Sequence, residues 1–213
     1  MKRSGVLLII CCAFFAALAF MPVTGISGPI AFPEVAAGLT DQSQGYEYKV
    51  LATNRTSTLE KEMNEVADAG YRFEAVMGGG TAFGGSESVA VMGKSIAKEV
   101  KPRYQYKLLA TSKTSTMQKE LQQAGDAGFV YRDQTVFRST FGGKEVAVIL
   151  ERDLEAPIQH HEYKLLATSR TSTMEKELKE AGAAGYEFIG MSVGDTSIGG
   201  QEVVCILRRL VKK

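Results

Sequence analysis

In YEYKVLATNRTSTLEKEMNEVADAGYRFEAVM, Tyr46 to Met77, the apolar residues change period twice. Tyr46, Tyr48, Val50 and Ala52 alternate with Glu47, Lys49, Leu51 and Thr53, which is the spacing of a strand. Leu59, Met63 and Val66 then recur at helical spacing. Ser57 followed three residues later by Glu60 predicts a capping box at the helix start, the hydroxyl and the carboxylate each meeting an orphan backbone donor. Gly70 marks the stop, because glycine tolerates the left-handed conformation there. An aromatic strand, YRFEAV, follows, then a glycine-rich hairpin and a last strand in GGSESVAVM from Gly84. The order is β-α-β-β.

The same stretch returns as YQYKLLATSKTSTMQKELQQAGDAGFVYRDQT from Tyr104 and HEYKLLATSRTSTMEKELKEAGAAGYEFIGMS from His161, at offsets of 58 and 57 residues. Their final strands are GGKEVAVIL from Gly142 and GGQEVVCIL from Gly199. Internal periodicity of this length signals tandem units. The chain therefore divides into repeats at 46–94, 104–153 and 161–209, joined by short Pro-containing linkers at 95–103 and 154–160, with an unpatterned leader at 26–45. In the last strand Val146, Val148 and Leu150 point one way and Ala147 and Ile149 the other, which suits a central strand. The expected fold class is α+β: three small three-stranded sheets of order 1-3-2, each with one helix on one face. The opposite face is expected to expose Leu51, Val76, Val89 and Val91, and Tyr48, Tyr106 and Tyr163 are read as core beneath the helix. A unit near 50 residues is marginal on its own core, so the copies are expected to pack on one another. Two arrangements stand: three second faces meeting around a pseudo-threefold axis, or one pair that leaves a face for a partner.

The succession Y-E-Y-K, an amphipathic helix ending in A-G-x-A-G-[YF], an aromatic strand, a glycine-rich turn and a final apolar strand ending in basic residues resembles the short bacterial domain of unknown function 4177. The resemblance covers about three quarters of the chain as three tandem copies. It departs from the family where Tyr71, Phe129 and Tyr186 replace a tryptophan and in the TSxTST insert. What it implies is the fold and a bacterial origin; it implies no activity.

Residues 1–25, MKRSGVLLIICCAFFAALAFMPVTG, place Lys2 and Arg3 before an apolar run from Gly5 to Phe20 and then Pro22 and Gly25, as in a secretory signal peptide. Export to the periplasm or the exterior is expected, with membrane contact only through an uncleaved signal. Cys11 and Cys12 follow bulky Ile9 and Ile10 and read as ordinary signal-core residues. Removing Lys2 and Arg3 lowers the formal charge from +1 to −1, which excludes a broad basic footprint for nucleic acid. Cys205 is left as a single thiol in an apolar strand, and a disulfide framework is excluded.

Each copy carries one hydroxyl-rich hexamer with a central cation between first strand and helix: TNRTST, TSKTST and TSRTST. Two readings stand. Arg55, Thr56 and Ser57, Lys113, Thr114 and Ser115, and Arg170, Thr171 and Ser172 could bind small anions at the positive ends of helix dipoles. Alternatively, Ser57, Ser115 and Ser172 are caps and the cations are solvated loop tips. Phe83, Phe141 and Ile198, at the tips of the glycine-rich hairpins, are candidate contact residues. Lys49, Lys107 and Lys164 are expected to face Glu87, Glu145 and Glu202 as cross-strand ion pairs. His160 and His161, adjacent on an extended segment, make a poor metal pair, and no metal or cofactor is expected.

Copies 1 and 2 hold neither His nor Cys, and no nucleophile-elbow or Ser-x-x-Lys signal is present. The reading is an exported, non-enzymatic interaction or structural module of the bacterial envelope or exterior, with an unknown protein or envelope component as partner and homo-oligomers through exposed sheet faces possible. The alternatives are an anion binder through the hexamers and, ranked last, an unrecognised hydrolase.

Overall fold

A computed structural model describes residues 45–80, 86–97, 101–138, 144–195 and 200–211. The signal segment and the leader up to residue 44 lie outside these residues, as do the hairpin tips Phe83, Phe141 and Ile198. The described residues fall in one compact unit.

The first repeat holds β1 (Tyr46–Thr53), α1 (Thr56–Asp68), β2 (Arg72–Gly80) and β3 (Ser86–Ser95). The second holds β4 (Tyr104–Thr111), α2 (Thr114–Asp126), β5 (Val130–Arg138) and β6 (Lys144–Asp153). The third holds β7 (His161–Thr168), α3 (Thr171–Ala183), β8 (Glu187–Asp195) and β9 (Gln201–Leu210). All three sheets are antiparallel, in the orders β1-β3-β2, β4-β6-β5 and β7-β9-β8. The expected fold class and strand order are therefore correct.

Helix α1 buries Leu59, Met63 and Ala67, a stripe with four-residue spacing, against Ala90 and Met92 of the central strand. The helix ends as read from the sequence: Gly70, Gly128 and Gly185 take φ of 89°, 82° and 83°. Backbone bonds such as Tyr71 N–H to the Val66 carbonyl (3.3 Å) close the last turn. The helix start differs. Arg55, Lys113 and Arg170 occupy the N-cap positions, with extended backbone and no side-chain cap bond. The capping boxes do not form, because each helix begins before the serine and the residue at position 60 or 118 is engaged elsewhere.

That engagement builds the stack. Glu60 Oε2 accepts the Leu108 N–H (2.7 Å) and Asn64 Oδ1 accepts the Tyr106 N–H (2.9 Å), so two side chains one helical turn apart on α1 meet the free edge of β4 in the next repeat. Helix α2 repeats the device. Gln118 accepts the Leu165 N–H (2.7 Å) and donates to the Tyr163 carbonyl (2.8 Å), while Gln122 accepts the Tyr163 N–H (3.1 Å). An edge strand presents a row of unmet backbone groups; here the preceding helix covers it.

The register fixes which face is which. Leu51 and Val76 both lie opposite Ala90, on the helix side, so they are not on the second face; Val89 and Val91 are. The tyrosines also change sides. Tyr106 and Tyr163 point away from their own helix into the preceding repeat, where each is 2% exposed. The helix-bearing front of one sheet thus packs on the back of the next, through Tyr106 and Ile149 at the first junction and Tyr163, Val204 and Ile206 at the second. This replaces the expected meeting of second faces. The sheets approach closely: a Cβ at Gly78 would stand 2.0 Å from the Val136 carbonyl oxygen and one at Gly190 2.0 Å from the Tyr131 hydroxyl.

One extra residue in each second strand, between Phe73 and Ala75, Tyr131 and Asp133, and Phe188 and Gly190, forms a bulge. The residue just before it turns its N–H out of the ladder. Tyr106 Oη accepts the Phe73 N–H (2.8 Å) and donates to Glu151 (2.9 Å); Tyr163 Oη accepts the Tyr131 N–H (2.9 Å). Glu151, nearly buried, also takes Arg72 of the first repeat at 2.8 Å.

Candidate functional site

The hexamers are built by their first threonine. Thr53, Thr111 and Thr168 accept the N–H of Arg55, Lys113 and Arg170 at 3.1–3.2 Å, a hydroxyl turn that sets the chain for helix entry. The carbonyls of the three cations then accept the first helical bonds, from Leu59, Met117 and Met174, each at 3.0 Å. Arg55, Lys113 and Arg170 are exposed, as are Ser57, Ser115 and Ser172; Thr56 and Thr114 are half-buried and Thr171 is exposed. No acidic residue occupies the first turn of any helix. Among the described residues no hydrogen bond or ion pair links one hexamer to another. Behind the second hexamer, Thr111, Ser112 and Thr114 share a pocket with Gly194 and Glu202 of the third repeat, of about 20 Å3, the size of one water.

The expected lysine–glutamate pairs do not form. Lys49, Lys107 and Lys164 lie opposite Met92, Leu150 and Leu207, whereas Glu87, Glu145 and Glu202 lie opposite Gly79, Phe137 and Gly194. Lys49 instead sits over the Tyr71 ring at 4.9 Å and Lys164 over Tyr186 at 5.6 Å. Cys205 is buried, and burial pushes its thiol above the ordinary range, as the apolar strand implied.

A cleft of about 350 Å3 is lined by His161, Glu187, Arg208 and Arg209 among others. Its cations are already matched: Arg208 meets Glu187 at 3.3 Å, and Arg209 meets Glu162 and donates to the Ala184 carbonyl. His161, where the other copies have Tyr46 and Tyr104, opens β7 and is 6% exposed. Burial holds its imidazole below the usual range, and the Arg208 charge adds to that. The unfolded chain then binds the proton more readily, so stability falls as pH drops through the free histidine value near 6.5. Between pH 7.5 and 5.5, above the carboxylate titrations, the melting temperature is expected to decline, and His161→Tyr to flatten that decline. Equal slopes for both proteins, measured by scanning calorimetry, would remove the assignment.

The two ends of the stack differ from its interior. At the first end, Tyr48 is 59% and Val50 66% exposed, with Met77 exposed beside them on the back of the first sheet. At the other, Phe188, Met191 and Val193 are exposed on the front of the third sheet beside α3. On α3, Glu175 and Lys179 stand where Glu60 and Asn64 stand on α1, and they pair with each other. The sequence contained this signal as a polar pair four residues apart in every helix, but its first member fitted a capping box as well.

Compared with known proteins, the chain matches no family model, no curated sequence and no solved structure. Among the described residues no group of three or more His, Cys, Asp or Glu is placed to hold a metal ion, and no helix is long and apolar enough to cross a membrane.

Proposed function

We propose that this chain is an exported, non-catalytic structural or interaction module of the bacterial envelope or exterior, acting through the two end faces of its stack. The observation that carries the reading is the contrast between Tyr48, 59% exposed, and its equivalents Tyr106 and Tyr163, each 2% exposed. One side chain at one position of one fold is buried wherever a neighbour exists and is bare where the described chain ends. Exposed apolar side chains clustered on one face mark contact surfaces. Residues 1–25 supply the export part of the reading.

A photo-crosslinking residue placed at position 50 or 191 tests it. Adducts are expected from both ends and not from position 65, on the solvated flank of α1, where Glu65 is mostly exposed. Equal yields from all three positions, or none from either end, would overturn the reading.

A second reading, anion binding at the hexamers, draws on cations at all three N-caps and the lack of acidic residues in the first turns. Phosphate, sulfate or polyphosphate is then expected to raise the melting temperature, and Arg55→Ala with Lys113→Ala and Arg170→Ala to abolish the rise. No shift with any anion removes this alternative.

A further inference from the structure

We infer that the partner of each end face is the opposite end of a second copy of this chain, so that copies join head to tail and continue the internal stack. This rests on the end faces being contact surfaces, and it names what they contact.

Each internal junction has three parts, and the outer ends hold counterparts of all three. In the first part, a pair of polar side chains on a helix meets the main-chain edge of the next repeat's first strand. Glu175 and Lys179 are the corresponding pair, bonded to each other, and among the described residues no helix side chain bonds the main chain of Tyr46 to Val50 as Glu60 and Asn64 bond that of β4. Glu175 can accept the Val50 N–H as Glu60 accepts that of Leu108. Lys179 can donate to the Tyr48 carbonyl as Asn64 does to that of Tyr106, and, having no acceptor, leaves the Tyr48 N–H to water where Asn64 accepts that of Tyr106.

In the second part, a tyrosine hydroxyl accepts the N–H just before the bulge of the preceding repeat. Tyr48 is the unused tyrosine, and Phe188 stands where Phe73 and Tyr131 supply that N–H. The third part is packing of front on back. Inside the stack Gln134 of the second repeat donates to Ser192 of the third at 2.7 Å. The residues in those two places at the outer ends are Met191 and Met77, both exposed. A polar pair inside is thus matched at the ends by an apolar pair, so each half suits the other. Either methionine alone would be an apolar liability.

The contact is heterologous, because a back never meets a back in this molecule. It therefore propagates beyond two copies, closing only if the turn per copy completes a ring.

Sedimentation equilibrium over a concentration series of the full chain, of Val50→Lys, of Met191→Lys and of their equimolar mixture tests the inference. For the unsubstituted chain the weight-average mass is expected to climb past that of a dimer. Each variant, blocked at one end, is expected to stay monomeric alone. The mixture retains one sound end of each kind and is expected to stop at a one-to-one dimer. Unchanged melting temperatures in dilute solution check that both variants fold. The inference is overturned if the unsubstituted chain is monomeric throughout, or if either variant still associates by itself. If self-association fails while crosslinks from positions 50 and 191 go to another protein, the end faces remain contact surfaces and only the identity of the partner falls.

Discussion

Replacing Gln118 and Gln122 together with alanine is expected to lower the unfolding free energy by about 2–4 kcal/mol and to let the third repeat melt ahead of the other two. The Leu165 and Tyr163 N–H groups lose their acceptors at the β7 edge, and an unmet, partly buried donor costs roughly 1–3 kcal/mol. Alanine is the best helix former, so α2 itself does not suffer. The matched control is Glu175→Ala with Lys179→Ala on α3, where no described strand edge is served. That change is expected to stay within about 0.5 kcal/mol, as exposed substitutions do, at concentrations low enough to keep chains apart. Urea titration followed by circular dichroism reads both. Equal losses in the two double variants would show that the helix pairs contribute through the helix and not through the neighbouring edge.

The second large effect is expected at Tyr106. Truncation to alanine removes a buried ring and is expected to cost about 3–5 kcal/mol. It also strips the Phe73 N–H of its acceptor and Glu151 of a donor. Tyr106→Phe keeps the ring and loses only the hydroxyl, which leaves the Phe73 N–H and Glu151 short of a partner and is expected to cost about 1–3 kcal/mol. Tyr48→Ala, the same change one repeat earlier, is expected to cost less than about 0.5 kcal/mol in the dilute chain, because Tyr48 is 59% exposed. Calorimetric or chemical unfolding of the three variants checks the ladder of effects. A large loss at Tyr48 in dilute solution would mean that its face is covered within the single chain, and the account of two open ends would be wrong.

Strands, helices, glycine stops and the 1-3-2 order were legible because each follows from local periodicity or from the left-handed backbone at Gly70, Gly128 and Gly185. Face assignment was not. In Tyr46–Thr53 and its copies the alternation of Tyr with Lys suggested a buried and a solvated side, but an inner layer is covered on both sides. Lys107 and Lys164 are half-buried on the helix side, Lys164 with its charge over the Tyr186 ring, so lysine did not mark a wet face there. The lysine–glutamate pairing failed for a related reason: register sets which residues oppose each other, and β1 and β3, joined through a helix and a further strand, share no turn from which it could be read. The hexamers were read as lying between strand and helix, whereas each begins on the last residue of the strand and runs into the first turn of the helix. The hydroxyl that matters structurally is their first threonine, which turns the backbone, and not the serine that fits the capping pattern.

One part of each junction is made to main-chain atoms: Glu60, Asn64, Gln118 and Gln122 bond the N–H and C=O of β4 and β7. Every copy offers the same peptide groups whatever its side chains become, so this part of the junction asks nothing of the sequence of a duplicated segment of some 57 residues, and only the packed faces have to be matched. The molecule can be lengthened or shortened by whole units, like a ruler cut at its marks, while its two terminal fittings keep their shape.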